Sequence, residues 1–365
     1  MTPPCFLVTT PLQALNAMEA ADRFLEKGER CTVLVLKKTA GARETVEAAR
    51  RLPGLEGAEF VAIDASQVTS RRGPARAVRA LWHNRRLIQG PVRRYCEDAR
   101  ILFLGNLMNR ELLAAAQLAK SDIVILDDGT STAAFFEAAG DGDRLQPAPR
   151  AGNALSGKCK EAAFRFFYGA ASLPKSRIIL FTTYPESSAG MNCRVVSNEF
   201  RVCRRLVAAG RTLPEAHFLG APFVERGQLD WKEYAHWLIE AYAHLGRDVR
   251  YIAHWAESPE KLRQVEHLLG WETVRFALPY EMQFVLDGAR PRIVAGCFSS
   301  AFDILPRFFA PGTGLQAFEI PVERIRSAAI QSAARSFYRR HRDTASPVDI
   351  ITIQQAAPGR QSVRR

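Results

Sequence analysis

Two adjacent carboxylates, Asp127 and Asp128, close the run Ile123-Val-Ile-Leu126 and precede Gly129. Four consecutive aliphatic residues read as a buried parallel strand. In open α/β sheets the ligand sits beyond the carboxyl ends of the strands, so a carboxylate there is placed to take a proton from an attacking hydroxyl. Neighbouring side chains on a strand point in opposite directions, so at most one of the pair faces the ligand. Either could instead cap a following helix, because Asp128-Gly-Thr-Ser-Thr132 is a good N-cap context. Far downstream, His254 ends Val249-Arg-Tyr-Ile-Ala253, Glu281 follows Leu278-Pro-Tyr280, and Ser299-Ser300 follow Ile293-Val-Ala-Gly-Cys-Phe298. As an imidazolium, His254 could donate to a leaving phosphate, or it could be a structural strand-end histidine. Glu281 could accept two ribose hydroxyls or serve as a first-turn helix acid. Hydroxyls and amides at a helix N-terminus, as expected at Ser299-Ser300, make room for one phosphate. Neither a P-loop nor a GxGxxG loop is present. Asp141-Gly-Asp143 has the spacing of a metal-binding DxD but lies in a Gly/Pro-rich stretch, so it reads as a turn and no metal is expected. A base in one half and anion-handling groups in the other predict a group-transfer enzyme with its site between two domains.

The elements that must position these groups alternate in type. Strands are expected at 6–10, 31–36, 60–63, 101–104, 123–126 and 178–182, with helices at 14–26, 43–51, 77–88, 110–118 and 200–209. That rhythm argues for a doubly wound, largely parallel sheet. Residues 139–158 and 183–199 read as loops. The pattern restarts after Gly210, with strands at 217–219, 249–253, 274–277 and 293–295, helices at 231–245, 259–269 and 280–286, and a closing helix over 322–340. The expected organisation is therefore a first domain over 1–210, a second over 211–345, and a basic, flexible tail over 346–365.

With 365 residues, 47% hydrophobic and 24% charged, the chain is a globular protein with room for two α/β domains. Seven scattered cysteines without a CxxC pair read as reduced thiols, which excludes a disulfide scaffold and a structural zinc. The N-terminus lacks a basic leader and a long apolar run, so a cytoplasmic location is expected. The net charge of +12 is uneven. No acidic residue occurs between Ala65 and Cys96, while Arg71, Arg72, Arg76, Arg79, Arg85, Arg86, Arg93 and Arg94 all do. Such a run is either a solvated helix face or a surface for an anionic membrane or acidic glycan. No nucleic-acid motif accompanies it, so nucleic acid is not expected as a partner.

The order of these pieces resembles bacterial sialyltransferases of the lipooligosaccharide sialyltransferase and capsular polysialyltransferase groups, which have a two-domain GT-B fold. The similarity runs over about residues 5–305. It begins at Thr10-Pro-Leu-Gln-Ala-Leu-Asn16 and continues at Asp127-Asp-Gly129, which matches a D/E-D/E-G motif. Phe218-Leu-Gly-Ala-Pro-Phe-Val-Glu225 is similar to a G-x-P-x-x-E opening of the second domain. Tyr251-Ile-Ala-His-Trp-Ala-Glu257 falls where the family has an HP motif, with Trp255 in place of the proline. Pro279-Tyr-Glu281 and Phe298-Ser-Ser300 occupy the places of the ribose-binding acid and the serine motif. The resemblance implies a GT-B-like pair of Rossmann-like domains with the active site in the cleft between them. It also implies inverting transfer from CMP-sialic acid to a hydroxyl of a cell-surface glycan, without a cofactor. Asp128 or Asp127 would be the base, with Asp128 favoured, and His254, Ser299 and Ser300 would receive the departing phosphate. Glu281, Gly220 and Pro222 would help hold the nucleotide, and Thr10 and Gln13 would lie on the acceptor side. Other donors of the CMP-keto-sugar type, pseudaminic or Kdo-like, fit the same motifs. So does a non-catalytic, basic surface-binding relative, for which Trp255 would be the sign. Residues 71–94 are expected to bring such an enzyme to the inner face of the bacterial inner membrane.

Overall fold

A computed structural model of the chain describes residues 2–37, 42–64, 74–106, 109–128, 142–145, 162, 165–169, 172–183, 185, 192–309, 312–342 and 346–353. Arg71, Arg72, Gly129, Asp141, most of the expected loop 139–158 and part of the expected loop 183–199 lie outside the described residues, as does the side chain of Arg76. The chain divides into two compact units, Met1–Arg205 and Leu206–Arg365.

Unit 1 is built on β1 (Cys5–Val8), β2 (Thr32–Lys37), β3 (Glu59–Asp64), β4 (Leu102–Leu104), β5 (Ile123–Leu126), a short antiparallel pair β6 (Arg144–Leu145) and β7 (Leu173–Pro174), then β8 (Ile178–Thr182) and β9 (Arg194–Ser197). Its helices are α1 (Pro11–Phe24), α2 (Ala42–Arg50), α3 (Pro74–Cys96) and α4 (Arg110–Ala116), with α5 (Arg201–Ala208) at the unit boundary. Seven strands form one all-parallel sheet in the order β3-β2-β1-β4-β5-β8-β9. Every residue of β1, β5 and β8 is buried, as expected of strands covered on both faces. Phe6 stacks on Phe103 at 4.1 Å between ring centroids, joining β1 to β4. Order reverses between β1 and β4, so their carboxyl ends open a crevice there.

Unit 2 contains β10 (Arg211–Leu219), β11 (Val249–Ile252), β12 (Glu272–Val274), β13 (Ala289–Gly296), β14 (Gly314–Glu319) and β15 (Val348–Thr352). Its helices are α6 (Trp231–Leu245), α7 (Pro259–Leu269), α8 (Tyr280–Asp287), the single turn α9 (Ala301–Ile304) and α10 (Ala328–His341). The sheet is again all parallel, in the order β12-β11-β10-β13-β14-β15. That is the dinucleotide-fold order, with its switch point between β10 and β13. Pro214 cannot donate to the ladder, and the register of β10 shifts between Leu213 and Ala216 around it. Phe218, Tyr251 and Trp271 pack together in the core at 5.5–5.8 Å.

Several expectations are corrected. Val348–Thr352, assigned above to a flexible tail, is the edge strand of the second sheet, paired to β14 along its length. The helix expected over 322–340 is a 3-10 turn (Val322–Arg324) and then α10, separated because Ser327 caps a fresh start by accepting from the Ile330 N–H. The expected loop at 183–199 contains β9, and α3 runs through Pro91 to Cys96 rather than stopping at Ile88. No described helix is long and apolar enough to cross a membrane. The six described cysteines are free thiols.

Candidate functional site

In unit 1 the crevice between β1 and β4 is lined by the residues that end β1, β4 and β5. Thr10 caps α1: its hydroxyl accepts from the Gln13 N–H at 3.2 Å, and Pro11 takes the first helical position, where a missing N–H costs nothing. The same hydroxyl donates to Asp128 Oδ1 at 3.3 Å. Asn106, two residues beyond β4, donates through Nδ2 to Asp128 Oδ2. Half-buried Asp128 is thus held between two neutral donors at the switch point of the sheet.

Asp127 points the other way, as strand alternation requires. It is buried, and its Oδ2 accepts from the Thr183 N–H (2.6 Å) and hydroxyl (2.9 Å) at the end of β8. Its carbonyl accepts from Asn16 Nδ2. Asp127 therefore ties β5 and β8 to α1. Gln13, expected on the acceptor side, is wholly buried; its Oε1 accepts from the Thr9 N–H (2.7 Å) and hydroxyl (3.0 Å). Its amide lies so close over Gly105 that a Cβ there would stand 2.3 Å from Oε1. Gln13 shapes the β1–α1 turn, and its buried Nε2 has no hydrogen-bond partner among the described residues. Asn106 was not anticipated, although a glycine-asparagine pair directly after a buried strand carries the signal.

In unit 2 the corresponding crevice is a cavity of about 350 Å³, lined by Gly220, Pro222, Arg226, His254 and Ser299, with apolar walls from Leu219, Phe298 and the first turns of α10. This falls within the usual size range of small-molecule sites, about 300–1,000 Å³. His254 accepts the Ala256 N–H at Nδ1 (3.1 Å), which leaves the proton on Nε2. Burial pushes its pKa down to about 4, helped by the positive charges of Arg226, Lys261 and Arg275. This shift favours a neutral ring that donates as Nε2–H over the imidazolium donor expected from the sequence. Arg226 was also unanticipated; it makes no ion pair among the described residues. Ser299 Oγ accepts from the Ala301 N–H at 3.3 Å, leaving its own hydrogen to give. Cys297 also lines the cavity, but burial pushes its thiol up to about 12, so it is no thiolate nucleophile.

Beneath this cavity lies a buried ionic network. Lys261 Nζ lies 2.7 Å from Glu257 Oε1, donates to the Ala221 carbonyl at 2.7 Å, and sits 3.8 Å above the Tyr234 ring. Glu257 accepts from the Tyr251 hydroxyl and the His254 N–H, both at 2.6 Å. Glu225 accepts from the Ser258 N–H that opens α7. Arg275 donates to the carbonyls of Trp255 (2.7 Å) and Glu257 (2.6 Å). These bonds fix the loops after β10 and β11, and with them His254. They also explain Gly220: a Cβ there would lie 2.3 Å from Glu257 Oε2 and 2.6 Å from the Tyr251 hydroxyl.

Ser300 is exposed and makes no side-chain cap, and α9 is one turn long; of the pair expected to receive a phosphate, Ser299 lines the cavity and Ser300 does not. Glu281 is half-buried in the first turn of α8, off the cavity lining, and burial holds its carboxyl above the usual range. Trp255 does not pack inward as a proline would. It is 76% exposed, its ring 5.4 Å from that of His254. Among the described residues no group of three or more His, Cys, Asp or Glu could hold a metal.

No protein-family model matches the chain, and no curated protein matches it. Solved structures do. TcCGT1 in complex with UDP is 10% identical, over 96% of this chain and 86% of that one, with a TM-score of 0.50. A sialyltransferase from Photobacterium damselae, in its GT-B domain, is 11% identical over 96% and 100%, with a TM-score of 0.45. The E. coli heptosyltransferase WaaC, with ADP-2-deoxy-2-fluoro heptose, is 11% identical over 92% and 99%, with a TM-score of 0.43. At such identities a likeness speaks for the fold alone. With two parallel sheets wound in Rossmann manner, the chain has a GT-B-like two-domain α/β fold.

Proposed function

We propose that the chain is a cytoplasmic inverting glycosyltransferase that moves sialic acid from CMP-sialic acid to a hydroxyl of a cell-surface glycan. The class is supported by the fold together with the two strand-end sites. In this reading the two sites serve one reaction. Asp128 accepts the proton of the acceptor hydroxyl as its oxygen bonds to the anomeric carbon. The bond from that carbon to the CMP phosphate breaks in the same displacement, and the electron pair leaves with the phosphate. Of the adjacent carboxylates, Asp128 is favoured because Asp127 is engaged with Thr183 and buried.

The observation that carries the donor assignment is the polar content of the unit 2 cavity: one guanidinium, one imidazole N–H and one hydroxyl, beside the Gln228 carboxamide, which is engaged with the Arg226 carbonyl and the Ser327 N–H. That set suits a single phosphate, whose charge grows as the sugar departs. Donors preorganised in a dry site each contribute about 10²–10³ in rate. Glu281 stands outside that set and is read as the ribose-binding acid on resemblance only.

The test measures thermal protection of the full chain by CMP and UDP. It also uses mass spectrometry of products formed from CMP-sialic acid, or from pseudaminic and Kdo-type CMP-sugars, with β-galactoside and sialoside acceptors. Protection by CMP beyond that by UDP, and a sialylated product, are expected. Transfer from a nucleoside diphosphate sugar instead would overturn the donor assignment, and CMP binding without product from any donor would overturn the catalytic reading.

A further inference from the structure

The solvent face of α3 is composed in an unusual way. Its buried face is Leu81, Asn84, Ile88, Val92 and Cys96, spaced three and four apart. The opposite face presents Arg79, Arg86, Arg93 and Arg94, flanked by Trp82 on one side and Leu87 on the other, with Val78 nearer the buried border and no acid anywhere on the helix. Trp82 is 46% exposed, and the Arg86 guanidinium lies 4.2 Å above its ring. None of these four arginines forms an ion pair among the described residues. The short helical segment Arg165 to Tyr168 is tied to α3 by the Tyr168 hydroxyl, which donates to the Leu81 carbonyl at 3.2 Å. It carries Phe166, at 81% the most exposed large hydrophobic described.

We infer that this face of unit 1 docks on an anionic lipid bilayer, with Trp82 and Phe166 entering the headgroup boundary and the arginines meeting lipid phosphates. A solvated helix face has no use for an exposed indole stacked under one of its cations or for a nearly bare phenyl ring tied beside it. A soluble acidic polymer satisfies the arginines but leaves Trp82 and Phe166 in water. An interfacial helix uses both sets: tryptophan at headgroup depth, and guanidinium groups whose attraction to anionic lipid adds with each charge. From Arg79 to Arg94 the cationic face is about 22 Å long, enough to span several headgroups. The inference does not depend on which sugar the protein transfers, and its test requires no turnover.

The test is co-sedimentation of the full chain with vesicles of phosphatidylcholine, alone or mixed with phosphatidylglycerol. Tryptophan emission is followed in a Trp255→Phe background, in which Trp82 is the most exposed of the remaining indoles. Wild type should pellet with the anionic vesicles, be released by salt, and show a blue shift. Replacing Arg79, Arg86, Arg93 and Arg94 by Gln should weaken partitioning by about tenfold or more. Trp82→Ala should weaken it several-fold and abolish the shift. These side chains are exposed, so melting should be unchanged; if the quadruple variant melts lower, the single Arg86→Gln and Arg93→Gln variants carry the test. Equal pelleting of wild type and variants would overturn the inference. So would binding to dextran sulfate as tight as to vesicles with no blue shift, which would make the face a polyanion site.

Discussion

The crevice of unit 1 and the crevice of unit 2 occupy equivalent places in two similarly wound sheets, yet they are built from opposite materials. In unit 1 a half-exposed carboxylate is held by neutral donors, Thr10 and Asn106. In unit 2 an imidazole faces a cavity among three cations, and a buried Lys261–Glu257 pair fixes the backbone beneath it. The contrast matches the demands of the two ends of a transfer reaction. In the proposed reaction the base must be reachable by the incoming hydroxyl, and Asp128 is half-exposed. A leaving-group site must present positive charge and donors that are already in position, because reorganisation during reaction would forfeit the gain.

The sharpest way to break this comparison is to neutralise Asp128, the base of the proposed reaction. Asp128→Asn keeps the shape and should lower turnover by about 10²–10⁴ with an unchanged melting temperature. Asp127→Ala should do the reverse: it strands the Thr183 N–H in a buried place and should cost about 1–3 kcal/mol of stability. Turnover and chemical denaturation on both variants give the answer. If Asp127→Asn rather than Asp128→Asn abolishes turnover in a stable protein, the assignment of the two carboxylates is reversed.

Next in size is the platform under the second crevice. Lys261→Ala leaves Glu257 buried without its partner and should cost about 3–5 kcal/mol, whereas Lys261→Met with Glu257→Gln should recover much of it. Losses under about 1 kcal/mol for Lys261→Ala would show that the network does not fix these loops.

This network also marks the boundary of what the sequence discloses. Strands such as Ile123–Leu126 and Ile178–Thr182, and helices such as Trp231–Leu245 and Pro259–Leu269, were legible to the residue because apolar runs or periodicity coincide with Pro, Asp or Gly boundaries. Strand β15, a short run after the last helix, and β14, with its glycine start and mixed polarity, carry weak signals of their own, since pairing to β14 and β13 gives them a reason to be extended. Asp128, His254 and Ser299 could be named because strand ends are readable. Glu257–Lys261 reads as an ordinary i,i+4 surface pair on a helix start. That it is buried under Tyr234 and Tyr251 follows from residues far away in the chain. Arg226 was passed over because nothing local separates a cavity arginine from a solvated one.

Acid should sharpen the contrast between units further. Burial holds the pKa of His217, and burial with nearby cations that of His254, down to about 4. Both lie below the unfolded value of about 6.5. Their contribution is fully present above pH 6.5 and is lost as pH falls toward 4, because only the unfolded chain takes up those protons in that window. Glu281, held above its usual range, acts in the opposite sense near the acid end. A net uptake of about one to two protons on unfolding near pH 5 is expected, and His254→Gln should reduce it by about one. A slope unchanged by that substitution would mean the ring is already protonated in the folded protein.

The smallest effect is expected at the residue where the chain departs most visibly from the pattern it resembles. Trp255 stands beside His254, but it is not on the cavity lining, and most of its ring meets solvent. The carbonyl that Arg275 holds belongs to its backbone, so truncation leaves that bond in place. Trp255→Ala should therefore change stability by no more than about 0.5 kcal/mol, and CMP affinity by no more than about threefold, which is under 1 kcal/mol. Isothermal titration of the variant decides the matter. A loss of about 30-fold or more would mean that the indole closes over the nucleotide as a stacking surface, and the second crevice would then extend beyond the donors that His254, Arg226 and Ser299 provide.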